Sequence, residues 1–142
     1  METIAKHKVD LDAAPNVGLG SCFSVKTHKK GGLWEFDSLK TSLHLTGQQK
    51  EGANKGYVIQ TELEAFQVLN ANILDYLLDY SEFIPKHWKK AGRICFWGTI
   101  FTNPTLGDCI RVLFWNGLIW DWEFYSLSSY FDSKCPAVVL IN

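Results

Sequence analysis

Between Cys109 and Tyr125 the chain places Arg111, Trp115, Trp120 and Trp122 in two apolar runs separated by Asn116-Gly117. Aromatic faces beside a guanidinium suit a sugar ring, a nucleobase or a peptide, and an arginine can anchor a carboxylate or phosphate. Asn-Gly between two strand-like runs predicts a hairpin with a two-residue type I′ turn, because both turn positions must tolerate positive φ. That turn sets Arg111 opposite Trp122, Leu113 opposite Trp120 and Trp115 opposite Leu118. Side chains alternate along a strand, so Arg111, Leu113, Trp115, Leu118, Trp120, Trp122 and Phe124 share one face. Ile110, Val112, Phe114, Ile119, Asp121, Glu123 and Tyr125 share the other. The tryptophan band either packs on a helix as core or lines an exposed groove. In both cases Arg111 and Trp122, far from the turn, reach the sheet edge and frame a pocket. Arg111, Trp115, Trp120 and Trp122 are therefore the candidate binding residues.

Other groups offer weaker chemistry. Asp121 and Glu123 lie roughly 7 Å apart on one strand face. Such a pair performs acid–base work only if burial raises one pKa; a solvent-facing strand surface is the commoner setting. Arg93 and Arg111 are the two arginines, beside twelve lysines. Lys86, Lys89 and Lys90 around Trp88 make a basic patch too small for strong phosphate binding. Cys22, Cys95, Cys109 and Cys135 form no CxxC pair. Cys22 and His28 lack the paired spacing of structural zinc ligands. Cys22 with a histidine could make a thiol nucleophile, given a base and an orienting partner. The motifs GxSxG, GxxxxGK[ST], HExxH and GxGxxG are absent. No catalytic residue, metal or cofactor is assigned.

Composition bounds the function further. The 142 residues carry a net charge of −1, with 46% hydrophobic and 20% charged residues. That is globular composition in a chain of one-domain length, residues 1–142, with residues 1–15 as a loose arm. The charge balance argues against nucleic acid as partner. No run approaches ~18 apolar residues, and residues 1–15 hold no apolar signal core, so a cytoplasmic protein with reduced thiols is expected.

The elements that must position the site are an antiparallel meander and a helix. Leu63, Phe66, Leu69, Ile73, Leu77 and Tyr80 recur at steps of three or four, which predicts one long amphipathic helix over about 62–80. Thr61 and Glu64 have the spacing of a capping box for it. Residues 33–45 fit either helix or strand, and residues 46–56 read as a polar loop. Residues 17–26, 93–102, 109–115, 118–125 and 137–141 read as strands, the last apolar on both faces and so interior. The fold class is α+β: a meander of about 4–6 strands, with the Asn116-Gly117 hairpin, packed against the long helix.

The function these features favour is a small non-catalytic binding protein using its aromatic sheet or the sheet's rim. Its partner is a protein or a small molecule. Two alternatives belong to other classes. One is a small enzyme with a pocket between helix and sheet, using Asp121 and Glu123 or a Cys/His pair. The other is a homo-oligomeric structural protein with tryptophans at its subunit contacts.

Overall fold

The computed structural model describes residues 8–17 and 22–141. Its elements in chain order are β1 (Lys8–Asp10), β2 (Ser24–His28), β3 (Leu33–Glu35), β4 (Thr41–His44), α1 (Gly47–Glu51), β5 (Ala53–Lys55) and α2 (Gly56–Glu62). There follow α3 (Ala71–Asp79), α4 (Trp88–Ala91), β6 (Ile94–Asn103), β7 (Gly107–Trp115), β8 (Trp120–Ser126), β9 (Tyr130–Asp132) and β10 (Ala137–Leu140). The class is α+β. No helix among the described residues is long and apolar enough to cross a membrane.

Strand β6 is the axis of the fold. Its first eight residues, ICFWGTIF, are buried, as a strand covered on both faces requires. The main sheet runs β4-β10-β6-β7-β8, and β2 joins β6 along its second half. Strands β6, β7 and β8 form the expected antiparallel meander. The sheet is not a pure meander, because β10 runs parallel to β6 where Ala137 meets Cys95. Strand β10 lies between β4 and β6, so its interior position agrees with its apolar faces. Two further pairs, β1-β3 and β5-β9, stand apart from the main sheet.

Alternation along β6 and β7 feeds two cores. Ile94, Phe96 and Leu113 join Ile73, Leu74 and Leu77 of α3 on one face. Cys95, Trp97, Ile110 and Val112 join Ile59 of α2, Leu63 and Phe131 on the other.

The long helix over 62–80 does not form, and its loss is the main correction to the expected fold. Helix α2 ends at Glu62, a single 3₁₀ turn spans Leu63–Ala65, and α3 starts afresh at Ala71. Between them the backbone is extended and paired. Leu69 N–H donates to Val138 O at 3.4 Å, Leu140 N–H to Gln67 O at 2.8 Å, and Gly98 N–H to Leu69 O at 2.9 Å. Sheet hydrogen bonds thus replace helical ones, and the helical spacing of Leu63 to Leu77 spans two cores instead of one stripe. Leu63 is buried under α2's face and Ile73 under α3's. Gly98 makes the crossing possible, since a Cβ there would stand 2.6 Å from Asn70 Cα.

The helix caps also differ from the expected box at Thr61 and Glu64. Thr61 Oγ1 donates to Tyr57 O inside α2 and caps nothing. The reciprocal box is Thr46 with Gln49, at the head of α1, in the stretch read as a polar loop. That stretch holds α1, β5 and the start of α2. Asn70 caps α3 by accepting from Asn72 N–H at 3.0 Å. Residues 33–45 resolve into β3, a 3₁₀ turn at Ser38–Lys40 and β4. The basic connector around Trp88 contains α4, anchored by the buried Trp88 side chain. Within residues 1–15, Lys8–Asp10 pair as a strand and Leu11 is buried. The first seven residues, and 18–21 of the strand expected over 17–26, lie outside the described residues.

Candidate functional site

The hairpin closes with a longer loop than expected. Trp115 pairs with Trp120, leaving Asn116 to Ile119 as a four-residue connection. The Asn116 side chain accepts from the Leu118 and Ile119 N–H groups, both at 2.9 Å, and the Asn116 backbone N–H donates to Ile119 O. Gly117 takes a φ of +98°. Arg111 therefore pairs with Phe124, and Trp122 with Leu113. The shift is two residues, so side-chain parity survives and the two faces keep their strand members. Leu118 and Ile119 leave those faces and stand exposed at the tip.

The aromatic band turns toward α3. Leu113 is fully buried, while Trp120 and Trp122 pack on the α3 core and remain half-buried. Arg111 is the informative member. Its side chain is 4% exposed, and Nη1 reaches Asp75 Oδ1 of α3 at 2.9 Å. The guanidinium carbon sits 4.0 Å from the Trp122 ring centre. Burial pulls the Arg111 pKa below its ordinary value, and the Asp75 carboxylate works against that pull. A buried charge persists when it is paired and its donors are used. Here Nε is buried with no hydrogen-bond partner.

Arg111, Asp75 and Trp122 line a cavity of about 200 Å³ with Leu78, Phe124 and Val17. It lies between α3 and strands β7 and β8, at the free edge of the sheet. Trp122 meets Phe124 edge-on at 5.1 Å, and Phe23 stacks on Phe124 at 3.8 Å. The walls are thus aromatic and aliphatic groups together with Asn16 and the Arg111–Asp75 ion pair.

The structure joins two of the four sequence-derived site residues there. Trp115 and Trp120 lie farther along the hairpin, edge-to-face at 5.6 Å, and Lys89 of α4 covers Trp115 at 3.9 Å. Asp75 of α3 joins the site without being among the residues expected from the sequence. Its signal was its spacing: four residues after Ala71 and three before Leu78, on the side of the helix that meets the sheet.

The groups offered for catalysis do not converge. Glu123 is ion-paired to Arg93 at 2.6 Å, and Asp121 accepts the Trp122 N–H at 2.8 Å. His28 spends both ring nitrogens. Thr99 Oγ1 lies 2.8 Å from Nδ1, and Leu11 O lies 2.9 Å from Nε2. The Leu11 carbonyl can only accept, so Nε2 carries a proton and donates to it, and Nδ1 faces the Thr99 hydroxyl, which also accepts from Ala71 N–H. His28 therefore has no site left to serve as a base for Cys22. Cys22 is exposed, whereas Cys95, Cys109 and Cys135 are buried and free. Among the described residues no three His, Cys, Asp or Glu side chains gather as metal ligands.

Comparison with protein-family models, with curated proteins and with solved structures finds no match for this chain.

Proposed function

We propose that this chain is a small non-catalytic binding protein that receives one apolar or aromatic group of a partner at the Arg111–Trp122 rim of its sheet. The observation that carries the reading is Arg111. A buried guanidinium lines a cavity, held by one carboxylate and one indole, with a donor unspent. Buried charge of this kind is costly in a structural core, where an apolar residue of similar volume often serves equally well. At a recognition site it supplies orientation, and aromatic walls supply contact area. The cavity is small, so it holds a side chain or a fragment and not a large ligand.

The test is a fragment titration of ¹⁵N-labelled protein, using indole, benzoate and isobutyramide as probes. Shifts concentrated at the Trp122 indole N–H and Arg111 Nε–H support the reading. Shifts spread over all indoles, or none at millimolar probe, overturn it.

A further inference from the structure

A second cavity, of about 240 Å³, lies on the opposite face of the sheet, between α2 with its following turn and strands β2 and β6. Leu63, Val68, Trp97 and Ile100 give it an apolar lining. Trp97 is 4% exposed, and its indole N–H is buried without an acceptor. That N–H is closed off from the cavity as well as from solvent, so Trp97 offers the cavity its ring and not its donor. Lys29 and Glu64 line the same cavity. Neither forms an ion pair with any described residue. Two opposite charges share one cavity and are not spent on each other.

The frame that carries them is fixed. Lys29 N–H donates to Gly98 O at 2.7 Å, and its carbonyl accepts from Asn70 Nδ2 at 2.9 Å. Glu64 follows directly on the buried Leu63 in the turn that ends α2. His28, also on the wall, has both ring nitrogens occupied. At about 30 Å³ of liquid volume per water, the space equals about eight waters. That is smaller than the roughly 300–1,000 Å³ of pockets for drug-sized ligands.

We infer that this cavity binds a free apolar α-amino acid as its zwitterion. The carboxylate lies toward Lys29, the ammonium toward Glu64, and the side chain on Leu63, Val68, Ile100 and the Trp97 ring. A simple carboxylic acid would meet Glu64 unpaired, and a simple amine would meet Lys29 unpaired. Only a dipolar ligand uses both charges. The site is separate from the Arg111–Trp122 rim and stands without it.

The test is calorimetric and NMR titration of the whole chain with L-leucine and L-phenylalanine. N-acetyl-leucine and leucinamide, each lacking one of the two charges, serve as controls. Saturable binding that shifts the Trp97 indole N–H, with both controls at least about tenfold weaker, is the expected result; tenfold corresponds to about 1.4 kcal/mol. Lys29→Met and Glu64→Gln change exposed side chains, so the fold should persist while each weakens leucine several-fold. An unmoved Trp97 resonance at 10 mM of both amino acids overturns the inference, as do controls that match leucine or variants that bind like the parent. Because the readout is Trp97 and not Trp122, failure here is distinct from failure at the rim.

Discussion

Arg111 holds Asp75 of α3 with Nη1, at 2.9 Å, while its guanidinium lies on the Trp122 ring at 4.0 Å. One side chain therefore ties β7, β8 and α3 together at the sheet's edge. Removing one partner leaves the other charge without compensation, a loss of about 3–5 kcal/mol when the site is fully buried. Asp75 is about one-third exposed, so water recovers part of that. Asp75→Ala should lower stability by about 2–3 kcal/mol in urea unfolding. Arg111→Met should cost less, because it removes the charge and keeps the packing. The double variant should cost less than the sum of the two, and simple additivity would mean that the pair is uncoupled.

Gly98 should tolerate no side chain. A Cβ would stand 2.6 and 2.7 Å from Asn70 Cα and N and 2.7 Å from Leu69 C, all backbone atoms of the crossing segment. Gly98→Ala should destabilise by about 3 kcal/mol or more, at the upper end for overpacking. Gly47→Ala, with open space around it in α1, should change stability by less than about 1 kcal/mol. Equal midpoints for the two variants would contradict the crossing at β6.

Leu77 is fully buried in the α3 core, and Leu77→Ala should cost about 2–5 kcal/mol by chemical denaturation. A loss under about 1 kcal/mol would show that α3 does not cover the sheet.

The thiols divide by exposure. Native protein should present Cys22 to a thiol reagent at once, with Cys95 and Cys109 protected until unfolding. Denatured without reductant, all four should titrate. Burial pushes the Cys95 thiol well up, and the Cys109 thiol up. The unfolded chain releases these protons near pH 8.5, and the native chain holds them to higher pH. Their contribution is therefore complete below about pH 8.5 and lost as pH rises above it, by at most about 1.4 kcal/mol per pH unit for each thiol. Stability that climbs from pH 8.5 to 10 would contradict buried thiols.

The two faces of the β7–β8 hairpin were legible in the sequence because strand parity survives a two-residue error in loop length. That error came from reading Asn116-Gly117 as the entire turn, when the Asn116 side chain organises four residues. The break between α2 and α3 was illegible for a different reason. Val68 forms a bridge to Val139, 71 positions away, and no local spacing records that contact. Gln67 and Leu69 then take sheet hydrogen bonds that override the helical period. The Thr46-x-x-Gln49 box was readable, but the polar run around it hid an element whose buried face is Gln49 itself, donating to Asp132 O and Cys135 O. The Arg111–Trp122 contact was legible from type and spacing. Asp75 depended on knowing where α3 begins.

A urea melt of Trp122→Ala, read beside fragment titration of the same variant, tests the binding rim most directly. Trp122 is half-buried, with its ring on Arg111 at the cavity wall. The variant should keep its unfolding slope, lose less than about 2 kcal/mol, and no longer shift Arg111 Nε–H on addition of indole. A loss of about 3–5 kcal/mol with an unchanged slope would place Trp122 in the core and contradict the rim as a binding surface.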